Sequence, residues 1–252
     1  MPQISQFNEL YVTLYDKYQK KMAVILNIET STNVCSVAVT AEGMILTHYE
    51  DFQGQNHAAL LSGYVKACLD YIRDKELALD AVAVSIGPGS YTGLRIGLSE
   101  AKGLAYALNI PLIGIDTLQI MAVSVMFNHD VDPESLFVPM IDARRMEVYT
   151  AVYDMALDTQ LAPTPLILDE TSYHEWLDKG AKMIFFGNGS EKAKELLESH
   201  PCARFIDGFN PLAVDMLALA ERAYAQKQFL DLAYSTPSYL KEFQATKPKN
   251  LI

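Results

Sequence analysis

The sequence has few of the residues that build disulfide frameworks or zinc sites. Only three of its 252 residues are cysteines, and Cys35, Cys68 and Cys202 lie far apart among apolar neighbours. This pattern argues against a disulfide framework or a zinc knuckle and predicts small buried core residues. The five histidines never form an HExxH motif or a close His-x3-His pair, so the sequence predicts no metal site.

Positive charge is also scarce. The chain carries 20 lysines and arginines against 31 aspartates and glutamates, which gives a net charge of −11. Because nucleic-acid affinity depends largely on cationic side chains that neutralise phosphates, we expect no direct, unaided binding of nucleic acid. One candidate basic patch remains, Lys241, Lys247 and Lys249 near the C-terminal end, where a solvated tail is the simpler interpretation.

Long apolar runs are missing as well. No segment approaches the roughly 20 apolar residues needed to cross a bilayer. Glu9 and Asp16 interrupt the first twenty residues, where a signal peptide would need an unbroken apolar stretch. We therefore expect a cytoplasmic protein without membrane contact. Half of the residues are hydrophobic and a fifth are charged, which is the balance of an ordinary globular protein.

The order of elements predicts two similar halves. The first half has the pattern βββαβαβα, with strands rich in Val, Ile and Leu that end at turn residues. A similar order follows a hydrophilic stretch, and the turns 87–90 and 187–190 match in position. We infer a tandem duplication with shortened elements in the second copy. The predicted parts are an N-terminal appendage (1–21), a first lobe (22–127), a linker (128–135) and a second, reduced lobe with a C-terminal tail (136–252).

A glycine turn and a strand end carry the residues that point to phosphate binding. The turn 87–92 leaves a strand and opens a helix, so its N–H groups are suited to an anion; a tight turn capped by Ser90 or Thr92 is the alternative. The strand end 29–31 offers a carboxylate and two hydroxyls, although these residues are also ordinary turn formers. Asp142, with Arg144 and Arg145, is its counterpart in the second half, and a local salt bridge among these three residues is the alternative. The candidate nucleotide-binding residues are Glu29, Thr30, Ser31, Gly87, Gly89, Ser90 and Asp142.

The helix after this turn has a ridge of small residues. Gly93, Gly97, Ala101 and Ala105 recur every four residues, so a second backbone can approach that face closely. Glycine inside a helix costs about 1 kcal/mol relative to alanine, which implies a compensating contact. That contact is either the protein's own sheet or another subunit. We favour a subunit interface, because the leucines of the helix can serve a different face.

Five segments together resemble the TsaB (YeaZ) family. They are 25–31, 56–57, 87–97, 101–105 and 142–149, and the resemblance extends over 22–240. It implies an α/β protein with an actin-like, Hsp70-like ATPase superfamily fold, made of two RNase H-like βββαβα lobes of which the second is reduced. The residues that it places at a subunit interface, together with the ridge, are His57, Leu61, Tyr64, Gly93, Gly97, Ala101 and Ala105.

The resemblance also implies a function. It predicts a non-catalytic scaffold subunit for the transfer of threonylcarbamoyl to the adenosine beside the anticodon of tRNA. Its partners would be the catalytic paralogue TsaD and the ATPase TsaE, with a homodimer in the absence of TsaD and tRNA reached only through the complex.

Two departures bear on activity. TsaD has a metal-binding His-x3-His pair, but here alanines and leucines follow His57, so the ligand pair is missing. A second-lobe nucleotide motif is reduced to the sparse turn 187–190. The resemblance therefore implies no catalytic residue, no metal and no firm cofactor, and ATP or ADP at a partner interface remains an alternative. The competing function is an active enzyme of the same superfamily, a small-molecule kinase or a metallopeptidase-like hydrolase.

Overall fold

The computed structural model describes residues 23–54 and 56–241. The predicted N-terminal appendage, together with Lys247 and Lys249, lies outside the described residues. Within the described residues, no helix is both long enough and apolar enough to span a membrane.

The first lobe contains a five-stranded mixed sheet in the order β3-β2-β1-β4-β5. Strands β1 to β3 are antiparallel neighbours, while β4 and β5 run parallel to β1. The predicted βββαβαβα order is confirmed. The strands are β1 (Ile25–Glu29), β2 (Cys35–Ala41), β3 (Met44–Asp51), β4 (Ala81–Gly87) and β5 (Leu112–Asp116); the helices are α1 (His57–Asp74), α2 (Tyr91–Leu108) and α3 (Thr117–Asn128).

The second sheet repeats this topology with shorter helices. Its order is β10-β9-β6-β7-β8, which is the order of the first sheet read from the other edge. Helices α4 and α5 have four and eight residues, whereas α1 and α2 have 18 each. The predicted repeat with shortened elements is therefore confirmed. The elements are β6 (Leu136–Asp142), β7 (Glu147–Tyr153), β8 (Thr159–Ile167), α4 (His174–Leu177), β9 (Met183–Phe186), α5 (Ser190–Leu197) and β10 (Ala203–Ile206).

Helices cover both faces of the first sheet. Side chains of α1 and α2, such as Val65 and Leu98, pack with Leu26 and Ile28 of β1 on one face. On the other face Ile25 meets Val123 of α3. Burying one such aliphatic side chain stabilises the fold by roughly 1.5–3 kcal/mol. The cysteines Cys35 and Cys68 belong to the first of these cores as free thiols, as predicted, while Cys202 is half-buried.

Helix α3 joins the two lobes. Its sequence is apolar on every side, a pattern that is typical of a helix buried all round. Ile120 and Val123 pack on the first sheet, while Met121 and Val125 pack with Phe137 and other residues of the second sheet. The two lobes therefore share a buried helix.

The last helices return to the first sheet. A 3-10 helix (Ala213–Met216) and α6 (Leu217–Ala225) follow β10, and Leu219 and Ala220 pack against Ile25 and Ile113. This differs from the predicted assignment of 136–252 to the second lobe. The physical reason is that the far face of the first sheet is apolar and α3 alone does not cover it.

After α6, residues 230–241 form an extended segment that we call the strap. The N–H of Leu230 donates to the carbonyl oxygen of Leu112 at 2.8 Å, and the N–H of Ser238 donates to that of Ile86 at 2.7 Å. The strap thus runs from the beginning of β5 to the end of β4. It then reaches the second lobe, where Lys241 Nζ lies 2.6 Å from Glu147 Oε2.

Candidate partner-binding groove

The predicted phosphate-binding residues at the end of β1 are buried. Glu29, Thr30 and Ser31 are each at most 1% exposed. The Thr30 hydroxyl donates to the carbonyl oxygen of Gly93 at 2.9 Å, and the N–H of Ser90 donates to that of Ser31 at 2.7 Å. The strand end therefore lies against the glycine turn and the start of α2 and is hydrogen-bonded to both.

The glycines of the turn are explained by close backbone approach. Gly87 has a φ of 109°, and a Cβ added at Gly89 would lie 2.4 Å from the carbonyl oxygen of Ser31. Close backbone approach therefore explains Gly89 without a ligand, and a phosphate-binding role of Gly87, Gly89 and Ser90 stays a prediction. The tight-turn alternative holds. Ser90 caps α2, because its hydroxyl oxygen accepts the N–H of Gly93 at 3.2 Å.

Burial changes the chemistry of Glu29. Its Oε1 accepts the N–H of Ser31 at 2.5 Å, and its Oε2 has no hydrogen-bond partner among the described residues. Burial raises the pKa of this carboxyl to about 7, although the hydrogen bonds from Ser31 act in the opposite direction. Burial therefore favours the neutral acid at this position.

Asp142 lies at the end of β6, in the other lobe. Its carboxylate forms an ion pair with Lys192 at 2.5 Å, and its N–H donates to Asn188 at 2.8 Å. These contacts lie within the second lobe, but they are not the expected local salt bridge with Arg144 and Arg145, because Lys192 supplies the cation and Arg144 only a backbone N–H, 2.7 Å from Asp142 Oδ1. Among the described residues, no group of three His, Cys, Asp or Glu side chains is arranged to hold a metal ion.

The ridge of small residues on α2 faces the protein's own first sheet. A Cβ at Gly93 would lie 2.1 Å from the carbonyl oxygen of Thr30, and one at Gly97 would lie 2.2 Å from its hydroxyl oxygen. Ala101 and Ala105 are fully buried in the same core. The ridge therefore allows α2 to approach the end of β1, and its predicted role as a subunit interface is wrong.

The predicted interface residues of α1 are also used within the chain. His57 and Leu61 are 7% and 1% exposed. Tyr64 is half-buried and stacks on Tyr49 of β3, with 5.7 Å between the ring centroids. Of these three residues, Leu61 also lines the groove that opens between α1 and α2. The sequence did not separate such a position from the core, because the apolar spacing that marks a helix face looks the same for a core and for an interface.

A groove runs between α1 and α2 on the side away from the sheet. Its wider part has a volume of about 620 Å³, and Leu61 forms part of its floor. Its far part reaches Gly103, an exposed glycine with nothing within 4 Å of an added Cβ. The mixed small and polar residues on these helix faces were the missed signal. The lining residues are Ala58, Leu61, Ser62, Val65, Lys66, Leu69, Tyr91, Thr92, Arg95, Ile96, Ser99, Glu100, Gly103 and Leu104.

A cluster of Tyr91, Arg95 and Tyr239, which we call the rim cluster, borders one end of the groove. The Arg95 guanidinium lies over the Tyr91 ring, 4.1 Å from its centroid, and Arg95 Nε donates to the Tyr239 hydroxyl at 2.9 Å. The two tyrosine rings are 5.3 Å apart. The strap thereby contributes one residue to a surface that is otherwise formed by α2.

Comparison with known proteins identifies the family. The model of the family "TsaD: tRNA N6-adenosine threonylcarbamoyltransferase" matches residues 49–251. The tRNA threonylcarbamoyladenosine biosynthesis protein TsaB of Escherichia coli is 30% identical over 227 residues, which cover 88% of this chain and 96% of that protein. The chain belongs to the TsaB (YeaZ) family. TsaB of Bacillus subtilis is 27% identical, over 88% of this chain and 95% of the relative.

Solved structures support the same conclusion. YeaZ from Pseudomonas aeruginosa is 29% identical and superposes with a TM-score of 0.71, covering 87% of this chain and all of that one. A second Pseudomonas aeruginosa structure, described as similar to peptidase YEAZ, gives a TM-score of 0.73 at the same identity. The predicted actin-like fold with two lobes is confirmed. The chain takes part in the biosynthesis of threonylcarbamoyladenosine in tRNA.

Proposed function

We propose that this chain is a non-catalytic subunit that docks its partners in the groove between α1 and α2. In this role it supports the transfer of threonylcarbamoyl to the adenosine beside the anticodon of tRNA in the cytoplasm. Its partners are TsaD and TsaE, and it forms a homodimer in the absence of TsaD. Transfer RNA is reached through the complex, which suits a chain with a net charge of −11.

The packing at the end of β1 supports a non-catalytic role. Catalytic carboxylates and phosphate-binding turns must leave room for substrate. Here the carbonyl oxygen of Ser31 fills the space beside Gly89, and the Glu29 carboxyl is fully buried. For a nucleotide such as ATP or ADP, the alternative that fits this proposal is an interface with a partner.

The groove itself is the observation that carries the docking role. Its lining residues span 58–69 of α1 and 91–104 of α2, so it offers a track about 20 Å long. Its floor is apolar around Leu61, while Ser62, Ser99 and Glu100 supply polar groups along its length. An apolar floor with a polar border is the usual composition of a protein interface. The exposed Gly103 allows a second backbone to approach closely.

The docking role is tested by filling the groove. Gly103→Arg places a long cation where an added Cβ meets nothing, so we expect the fold to be retained and partner binding to be lost. The measurements are copurification with TsaD and self-association by sedimentation velocity. Ala218→Arg, at an exposed position of α6 on the far face of the sheet, is the matched control and should behave as the wild type. If the Gly103→Arg variant binds TsaD and also self-associates as the wild type does, the proposal is refuted.

A further inference from the structure

The rim cluster holds an arginine in a fixed orientation at the wall of the groove. Arg95 is exposed, yet its guanidinium is fixed by the Tyr91 ring at 4.1 Å and by the Tyr239 hydroxyl at 2.9 Å. An arginine whose side chain is already ordered loses little conformational entropy on binding a ligand. Tyrosine and arginine are also the residue types that most often dominate binding energy at interfaces.

The two terminal nitrogens of the Arg95 guanidinium can bind a further group. Only Nε of Arg95 forms a hydrogen bond among the described residues, and none of their ion pairs involves it. The two terminal nitrogens of a guanidinium match the two oxygens of a carboxylate in a planar, bidentate pair. The chemistry that the rim cluster recognises is therefore a carboxylate on whatever enters the groove.

The same groove presents a carboxylate of its own. Glu100 lies five residues after Arg95 on α2, and both line the groove. Ser62 of α1 donates to Glu100 Oε2 at 3.1 Å, which holds the carboxylate at the groove surface. Arg95 and Glu100 do not pair with each other within the chain, so the groove displays an unmatched positive group and a negative group on one face.

This charge pattern is complementary to itself. In a twofold-symmetric dimer, each residue that contacts a second residue across the interface is contacted by it in return. We infer that a second copy of this chain binds in the groove with its Glu100 on the Arg95 of the first copy, and that the reciprocal pair forms on the other side of the twofold axis. The inference rests on the proposed docking role of the groove and adds the partner groups and their register.

The strap fixes the orientation of the Arg95 side chain for this pairing, because it carries Tyr239. Lys102 Nζ holds the strap through the carbonyl oxygens of Ala233 and Ser235, at 3.3 and 3.1 Å. This anchoring places Tyr239 beside Arg95. Tyr239 is therefore a positioning residue of the interface, while Tyr234, on the same strap and 85% exposed, is not part of the rim cluster.

Charge reversal tests the pairing directly. Arg95→Glu and Glu100→Arg each leave two like charges facing each other in the homodimer, so each variant should self-associate at least about tenfold more weakly than the wild type. In an equimolar mixture, the two carboxylates of the Arg95→Glu variant face the two guanidinium groups of the Glu100→Arg variant. Sedimentation velocity should then show a heterodimer with affinity near that of the wild-type homodimer. Thermal unfolding of each variant confirms that it is folded.

Further variants separate this inference from the docking role. Tyr239→Ala should weaken self-association severalfold and Tyr234→Ala should leave it unchanged, while thermal unfolding of both stays near that of the wild type. If Gly103→Arg abolishes self-association but the two charge variants associate as the wild type does, or their mixture forms no heterodimer, the pairing is wrong and the docking role stands. If Gly103→Arg also associates normally, the docking role itself fails.

Discussion

Helix α2 has two faces that carry glycine for opposite reasons. On the sheet side, Gly97 is buried and an added Cβ would lie 2.2 Å from the Thr30 hydroxyl oxygen. On the groove side, Gly103 is exposed and an added Cβ would meet nothing within 4 Å. The first glycine is required by the fold of the chain itself, whereas the second leaves a surface open.

The comparison shows what a small-residue pattern can establish. Glycine in a helix interior indicates close approach of another group but does not say which group. In α2 the regular spacing of four residues marks the core contact, while the irregular Gly103 marks the groove. The spacing alone does not make this distinction, because a docked helix requires the same regular spacing as a core contact.

The largest effect is expected on the sheet face. Gly97→Ala forces a Cβ into the Thr30 hydroxyl, which also loses its hydrogen bond to the carbonyl oxygen of Gly93. Overpacking of this kind, together with the lost hydrogen bond, should lower the free energy of unfolding by roughly 3 kcal/mol or more. Urea denaturation at neutral pH measures the change.

A double-mutant cycle identifies the cause. Thr30→Ala removes the hydroxyl that blocks the new methyl group, so Gly97→Ala should cost much less in the Thr30→Ala background than in the wild type. An equal cost in both backgrounds would show that Thr30 is not what requires the glycine.

The two sheets were predictable because the local patterns and the global fold agree. Runs of Val, Ile and Leu between turn residues predicted β1 to β7 and β9, and a strand predicted near 165–168 overlaps only the end of β8. The match between turns 87–90 and 187–190 predicted the repeat. The placement of α6 was not predictable, since its apolar face near Leu219 fits either lobe and only the space left on the first sheet decides. Strand β10 was missed because its four residues give too short a pattern.

For the candidate site, the sequence predicted the two helices α1 and α2 but not which of their faces is open to a partner. It selected α1 and α2, and Leu61 lines the groove between them, whereas Gly93 packs inside the chain. The rim cluster was beyond prediction, because Tyr239 lies 144 residues after Arg95 and only the path of the strap brings them together. Contacts between such distant positions follow from tertiary packing, which a local pattern does not contain.

A smaller effect on stability, which depends on pH, is expected at Glu29, which is buried at the end of β1 near the sheet face of α2. The pKa of Glu29 is about 7 in the folded protein and 4.5 in the unfolded chain, so folding takes up a proton between these values. Stability from this group is fully present below pH 4.5 and is lost as the pH rises through 7. A shift of this size corresponds to about 3 kcal/mol, and relaxation around the ionised group should reduce it to about 2 kcal/mol.

Glu29→Gln removes this dependence, because the amide resembles the neutral acid and its oxygen can still accept the N–H of Ser31. We expect the variant to be more stable than the wild type by about 2 kcal/mol at pH 8 and equally stable at pH 4.5, as measured by urea denaturation. Glu195→Gln, at an exposed position of α5, is the control and should show no such difference. A constant difference between wild type and Glu29→Gln at all pH values would contradict the assignment.

The smallest effect is expected on the groove face and has the opposite sign to that of Gly97→Ala. Gly103→Ala adds a methyl group in open space within a helix, so the free energy of unfolding should rise by up to about 1 kcal/mol. The same substitution, at two positions of one helix, would then destabilise at one and stabilise at the other. Thermal and urea unfolding of the two alanine variants under identical conditions provide the comparison.

Self-association of the Gly103→Ala variant provides a second measurement, because Gly103 lines the groove. A methyl group at Gly103 is small enough to fold well but narrows the closest approach of a docked backbone, so self-association should weaken while stability rises. Stability and binding then change in opposite directions within one variant, which a general loosening of the fold cannot produce. A Gly103→Ala variant that is less stable than the wild type would mean that this face of α2 is packed against the chain itself, and the contrast between the two faces would be lost.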